Sequence, residues 1–509
     1  MKKNIKRSRI SCRIAVTIIF MLIPYFSFSQ VRIDWQNCYG NVESMDWAAG
    51  IAPTDDGFFV LGQVTHPLNE GLCSCTIENE RTPWLISINR QGDLSGQYCW
   101  NDNTLNYTGI CVPIDIKKAN TPNGKEYYLS IHRYGQVIIT KLNEDGEELW
   151  RKELGWIGTS MFPTDDGGLF LGGTYGHIDK GEIDTLFKMD SDGNTEWGLS
   201  LGSMVLWDSD PTSVYQAKDG GYYAMYNTMT GTALFRISST GQIEWKRIYG
   251  QSKDDLLLHL VDFEDGILLG GYAFSEIEGQ HDKGDAWLVC TDKEGDIKWE
   301  RCFGGSYFDK CTILFHNPND SFTIFANSYS NDGDVQSNNQ GTPNVRKIWI
   351  FNVDTTGELQ WERSIGAIDH NVCCNDVIQT KAYNYVVAGW MHWDESHSGD
   401  VDCSNSELIP NSDYNYWVLH VTDTINSAGV NEPLSPIEVQ VFPNPAKGTV
   451  YIQGIEPAEV LVYNAIGQIV KTLRDINEIG VDDLPEGLYV LCITDKEGIS
   501  VTKRITVVR

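Results

Sequence analysis

The densest group of side chains able to do chemistry lies late in the long middle region of the chain. His392, Trp393, Asp394, Glu395, His397, Asp400 and Asp402 fall within eleven residues. An indole among carboxylates can stack on a sugar ring while the carboxylates accept hydrogen bonds from its hydroxyls. The same residue types can bind a metal, but no His-x-x-x-His with an intervening helical Glu occurs, so a zincin-like site has no support. Asp332-Gly333-Asp334 and the pair Asp282 and Asp285 are acidic turns of a kind that can hold calcium. Neither has the full EF-hand spacing, and solvated acidic loops are the favoured reading. No metal and no cofactor is expected, with calcium the weak alternative.

Three further carboxylates, Asp46, Asp255 and Asp309, each follow a Tyr-Gly or Phe-Gly-Gly stretch. An enzyme could use such residues along an axis. Their recurrence argues for turn capping instead, because a catalytic pair need occur only once. The chain has no Gly-x-Ser-x-Gly, no P-loop and no dinucleotide fingerprint. No catalytic residue is assigned.

The element that must position these residues is a repeat. A polar turn followed by an apolar strand recurs, most clearly at 55–62 (DDGFFVLG), 165–173 (DDGGLFLGG), 218–226 (KDGGYYAMY) and 264–272 (EDGILLGGY), with weaker copies at 123–131, 319–328 and 382–390. A second unit follows each of the first six: strand, Gly-turn, strand, Trp, as in 233–245 (ALFRISSTGQIEW). Gly146, Gly193, Gly241, Gly295 and Gly357 each precede a Trp by four residues. Gly92 precedes Trp100 by eight, which reads as an insertion. Tryptophans 35, 100, 150, 197, 245, 299 and 361 are spaced by 65, 50, 47, 48, 54 and 62 residues. Four short strands per period fit one blade of a β-propeller.

The last repeat, with strands at 382–390 and 416–424, stops before any Gly-turn and Trp strand. Residues 32–41 (RIDWQNCYGN) supply that missing strand. The sequence therefore predicts an all-β chain: a seven-bladed β-propeller over 30–424, closed by its N-terminal strand, which removes exposed sheet edges. The repeat resembles secreted propeller families of Bacteroidetes bacteria, a resemblance that implies fold far more than activity. Long insertions at 63–83, 275–286, 328–347 and 391–415 separate the second and third strands of four repeats. They share one face, and insertions confined to one face mark a binding face.

The totals set the compartment. Lys2, Lys3, Lys6, Arg7, Arg9 and Arg13 precede the 13-residue apolar run 14–26. That run is too short to span a bilayer, so residues 1–29 read as a cleaved signal peptide for Sec-type export, leaving no membrane span. Cleavage takes the net charge from −30 to −36, which repels phosphates and argues against nucleic acid as a partner. Twelve of the 13 cysteines follow the signal. Export permits disulfides, and the candidate neighbours are Cys73 with Cys75, Cys99 with Cys111, Cys302 with Cys311, and Cys373 or Cys374 with Cys403. Disulfides or buried thiols are both consistent with these spacings.

Residues 425–437 (INSAGVNEPLSPI) have the composition of a linker. Beyond it, 439–452, 458–473, 484–493 and 498–509 alternate apolar and polar residues between turns, arguing a small immunoglobulin-like β-sandwich over 438–509. Three boxes occur in order here: Val441-Phe442-Pro443-Asn444-Pro445, Val462-Tyr463-Asn464 with Gly467, and Gly487-Leu488-Tyr489 before the strand holding Lys503 and Arg504. The segment resembles the type A sorting domain of the type IX secretion system, with Phe442 where Tyr is commoner. That resemblance implies handling by the outer-membrane export machinery, proteolytic removal of the tail, and release or attachment to surface lipopolysaccharide. The expected protein is a secreted or cell-surface binding module for a glycan or protein. The alternative is a carbohydrate-active lyase or hydrolase, with its site on the long-loop face or the propeller axis.

Overall fold

The computed structural model describes residues 31–508 apart from 41–45, 65–81, 100–110, 122–123, 134–135, 156, 178–180, 203–210, 282, 339–341, 393–398, 403–413, 425–439, 443, 454–456, 465–468, 475 and 496–499. Among these residues there is no α-helix, only one short 3-10 turn at Gln336–Asn338. Everything else of regular structure is antiparallel strand. Up to Asp423 the strands form seven four-stranded sheets. In chain order, sheets one to six occupy residues 47–99, 111–154, 157–202, 211–249, 256–303 and 309–365, each a simple meander. Sheet seven takes three strands from 372–423, and its fourth is Val31–Tyr39, which runs antiparallel to Tyr414–Asp423 with Val31 opposite Asp423 and Tyr39 opposite Tyr416. The first strand of each sheet packs against that of the next, and the first strand of sheet one packs against sheet seven.

Two repeated contacts explain why this sequence takes this arrangement. The turn before the fourth strand of sheets one, two, three, five and six is an Asx turn: Asp292 Oδ1, for example, accepts from Glu294 N at 3.0 Å and Asp296 N at 2.8 Å; in sheet four Ser238 Oγ takes that place, accepting Gln242 N at 3.1 Å. The turn needs a glycine with positive φ, +80° at Gly295 and +81° at Gly241. The aromatic residue of the preceding sheet's fourth strand lies on that glycine. A Cβ on Gly241 would stand 2.7 Å from the Trp197 ring, and one on Gly295 would stand 2.9 Å from that of Trp245. Trp35 lies on Gly92 in the same way, which is why Val31–Tyr39 serves as the fourth strand of sheet seven.

The second contact is a buried indole on the third strand. Trp84 Nε1 donates to Gln97 at 3.2 Å, Trp349 to Glu362 at 3.0 Å and Trp417 to Gln36 at 3.0 Å. Gln36 thus does for sheet seven what Gln97 does for sheet one. Burying one such indole contributes roughly 5 kcal/mol of transfer free energy.

Three expectations are corrected here. Sheet one carries no insertion before its aromatic residue. Gly96 occupies the register position of the usual Trp, opposite Ser87, and the ring of Tyr98, two residues on, covers Gly146, where an added Cβ would stand 3.1 Å from it. Cys302 and Cys311 are free buried thiols, because their side chains enter different cores: Cys302 packs with Leu257 and Trp287, Cys311 with Leu314 and Phe322. Cys373 and Cys374 are also free and buried; side-chain alternation along a strand sends adjacent residues to opposite faces. Cys73, Cys75 and Cys403 lie outside the described residues, as do the side chains of Cys99 and Cys111 and the linker.

The C-terminal region has two antiparallel sheets, one of three strands and one of four. Val450, Ile452 and Ile479 of the first share a core with Val460, Val462, Leu491 and Ile505 of the second. The strand Glu478–Gly480 has too few residues to show in the sequence pattern.

Candidate functional site

All seven first strands carry a one-residue register shift at the same place, after Ala48, Pro113, Ile157, Pro211, Leu257, Cys311 and Cys374. Such bulges re-aim a side chain and free backbone groups. The residues just past the shift differ from sheet to sheet. Two are carboxylates, Asp115 and Asp376, and Lys117 bridges them at 3.0 Å each although they stand two sheets apart. Asp376 also accepts Ile51 N of sheet one at 3.0 Å. About a third of the Lys117 side chain stays accessible, 32%, so water reaches this deep site. Burial alone disfavours the Lys117 ammonium, but Asp115 and Asp376 outweigh it and raise its pKa. Burial pushes the Asp115 carboxyl up, opposed by Lys117. His259 of sheet five is pushed down to about 3 by burial and by the charges of Lys117 and Lys310. The first strands of sheets two, five, six and seven therefore turn ionisable groups toward a common interior.

A second group sits where the long connections of sheets six and seven meet. The Arg346 guanidinium lies 4.4 Å from the Trp390 ring centroid and 5.6 Å from that of Tyr329. Trp390 and Tyr414 pack edge to face at 4.8 Å. His392 stacks on His370 at 5.5 Å and meets Tyr414 edge-on at 5.4 Å. His370 Nδ1 is 2.7 Å from Asp369, while His392 Nδ1 is buried without a partner. Asn371 holds the rim, accepting Arg346 N at 2.8 Å and, through its carbonyl, His392 N at 2.9 Å. Arg346 Nε is buried and unpartnered.

Of the six binding residues expected from sequence, only two lie among the described residues. His392 is in this group. Asp400 is engaged elsewhere: it pairs with Arg363 at 2.7 Å, and its backbone joins Gly366 and Gln36. Trp393, Asp394, Glu395 and His397 lie outside the described residues. His370, Tyr414, Trp390, Arg346, Tyr329 and Lys310 were missed. They are scattered through the sequence, though Tyr329, Arg346 and Tyr414 lie within the long insertions 328–347 and 391–415.

The acidic turns serve the fold. Asp332 accepts Ser306 N at 2.7 Å and Oγ at 2.5 Å, and Asp334 accepts Gly304 N at 3.1 Å. Asp255 caps two turns, taking Gln251 N, Ser252 N, Phe274 N, Ser275 N and Ser275 Oγ. Asp309 is less well served. Its Oδ2 accepts Gly305 N at 2.9 Å and Ser330 Oγ at 2.8 Å, whereas its Oδ1 and that of Asp285 are buried and accept no hydrogen bond. Burial pushes Asp309 up to about 6, and the nearby Asp285 charge adds to it. Among the described residues no three His, Cys, Asp or Glu side chains gather as a metal site.

In the C-terminal region the expected motif residues are tied into the fold. Asn444 Oδ1 accepts Thr506 N at 2.9 Å, Tyr489 is buried with its hydroxyl donating to Pro485 O at 2.9 Å, and Phe442 is 6.0 Å from Tyr451. Pro445 precedes Ala446, whose N donates to Thr506 O at 2.7 Å. Gly487 opens the strand Gly487–Asp495, and Lys503 stands opposite Leu491 on the final strand. Pro443 and Gly467 lie outside the described residues. Residues 440–508 match the family model of the secretion system C-terminal sorting domain. The tail is a type IX sorting domain. The protein is therefore secreted to the cell surface or the extracellular space, with its sorting domain as the part handled by the type IX machinery. No helix among the described residues is long and apolar enough to cross a membrane.

Solved structures also align with the chain. A crystal structure of a protein of unknown function from Bacteroides caccae aligns at 13% identity and TM-score 0.34, covering 56% of this chain and 89% of that one. Chaetomium thermophilum Raptor aligns at 7% identity and TM-score 0.42, covering 75% of this chain and 29% of that one. At these scores neither bears on what this chain does. No curated protein matches it.

Proposed function

We propose that residues 30–424 form a seven-bladed β-propeller, closed by the strand 31–39, which follows a cleaved signal peptide and acts outside the cell as a glycan-binding module. Three observations support the ring: seven sheets packed in order, the pairing of 31–39 with 414–423, and Gln36 and Trp35 in the roles of a fourth strand. The sorting domain would be removed after export, leaving the propeller free or attached to the surface.

The observation that carries the binding reading is the aromatic group at the ends of the long connections. Trp390, Tyr329 and Tyr414 offer ring faces and edges beside Arg346, His370 and His392. Stacking surfaces beside directional donors are what sugar recognition requires. A protein ligand is the other occupant such a surface could take. The enzyme reading draws less support. The interior carboxylates Asp115 and Asp376 are held by Lys117, and a histidine with a pKa near 3 is a weak general base at neutral pH.

A glycan array probed with the purified full chain tests the reading. Binding to a defined set of glycans is expected, with Trp390→Ala and His392→Ala each weakening it about tenfold or more. A blank array, with capture of a protein ligand abolished by the same substitutions, would replace the glycan by a protein.

A further inference from the structure

Two cations near this same surface form no ion pair among the described residues. Arg346 has no ion pair among the described residues: its guanidinium rests on Trp390, its backbone N is held by Asn371, and its Nε is buried with nothing to donate to. Stacking on an aromatic face leaves the donor edges of a guanidinium free for a planar anion. Lys310 is the second residue of the first strand of sheet six, opposite Asn327. Its ammonium has neither a hydrogen bond nor an ion pair among the described residues. Asn327, its cross-strand neighbour, exchanges hydrogen bonds with the Cys374 backbone at 2.8 and 2.9 Å, and Cys373 stands opposite Trp390, which sets Lys310 beside the strands that carry the Trp390 surface. The like charge of Arg346 disfavours its ammonium, as burial does.

The chain is acidic, with 69 acidic against 39 basic residues, and Lys117, Lys141, Lys188, Arg236, Lys293, Arg301 and Arg363 all pair with carboxylates. Holding two partly buried like charges together is unfavourable unless something negative joins them.

We propose that Arg346 and Lys310 form an anion-binding pair, and that the ligand of this surface is an acidic polysaccharide whose carboxylate or sulfate bridges them while its ring stacks beside Trp390 and Tyr329. The inference rests on the glycan-binding reading and sharpens it to a chemical class. The long-range repulsion of an acidic protein by an acidic polymer is screened at physiological salt, where the Debye length is about 8 Å. The local pair then decides selectivity.

The test compares affinities of the full chain for polygalacturonate and heparin with those for the neutral polymers dextran and xylan. At least one acidic polymer is expected to bind ten times or more tighter than either neutral one. Arg346→Gln and Lys310→Gln should each remove most of that preference while leaving the circular dichroism spectrum and melting temperature near those of the parent. With the unmodified chain, affinity for the acidic polymer should fall steadily as sodium chloride rises from about 0.05 to about 0.5 M. Equal binding of neutral and acidic polymers, or salt-independent binding of the acidic ones, would overturn the inference and leave the glycan reading standing. Failure to bind any of the four, together with a blank glycan array, would remove both.

Discussion

Along the seams between fourth strands the molecule repeats itself, and along the wall of first strands it does not. At each of five seams an indole lies on a positive-φ glycine of the next sheet, and at a sixth Tyr98 stands in on Gly146. The first strands share only a backbone feature, the register shift, and place Gly50, Asp115, Thr159, Ser213, His259, Ile313 and Asp376 just beyond it. What recurs holds sheets together. What varies places charge in the interior and at the long-connection face.

The seam should be the least tolerant place. Gly241→Val puts a β-branched residue at φ +81° with its Cβ 2.7 Å from Trp197. A loss of about 4 kcal/mol is expected from the left-handed strain plus the displaced ring. Chemical denaturation would show it, and an unchanged midpoint would mean that the seam is soft.

Asp255 and Asp309 occupy one position in neighbouring sheets yet should respond with opposite sign. Asp255 has its pKa lowered, because hydrogen bonds from Ser275 and from backbone N–H groups outweigh burial. Its stabilisation is present above pH about 4 and lost as pH falls through the lowered value. Asp255→Asn should cost about 2–3 kcal/mol at pH 7, since bonds to a charged acceptor become neutral ones. Asp309 is raised to about 6, so its contribution is fullest below pH about 4 and is lost as pH rises through 6. Asp309→Asn should therefore stabilise by up to about 3 kcal/mol at pH 7, two pKa units at about 1.4 each. Melting temperatures of the variant and parent should diverge between pH 4 and 6 and run parallel above.

In the first-strand wall, Lys117→Met should cost about 2 kcal/mol, less than a fully buried pair because water reaches the site. The loss should shrink when Asp376→Asn is combined with it, which a double-mutant cycle measures. The smallest effect belongs to a single seam bond: Trp299→Phe removes the 2.8 Å Nε1 donation to Thr355 O, about 1 kcal/mol by thermal melting.

Legibility followed the same division. The repeat, the strand-rich class and the four long connections could be read because turn glycines and alternating apolar residues recur at fixed spacing. The register shifts could not, since they follow from backbone pairing and leave no residue type in common. Tyr98 escaped notice because the ring that covers Gly146 comes from two residues beyond the usual position. Cysteine proximity in sequence misled, because the strand pleat sends Cys302 and Cys311 into separate cores. The tail was readable at once from its ordered boxes. Arg346 and Lys310 were invisible singly, because their surroundings come from sheets six and seven together.

The pairing of Val31 with Asp423 joins residues 392 positions apart. In polymer terms this is a very long loop, and loop-closure entropy grows only as the logarithm of length. The join is therefore affordable at equilibrium but slow to find. A chain emerging N-terminus first would hold its opening strand unmatched until Asp423 arrives. A chain shortened anywhere ahead of that residue would keep two raw strand edges, and self-association is the expected fate of such a fragment.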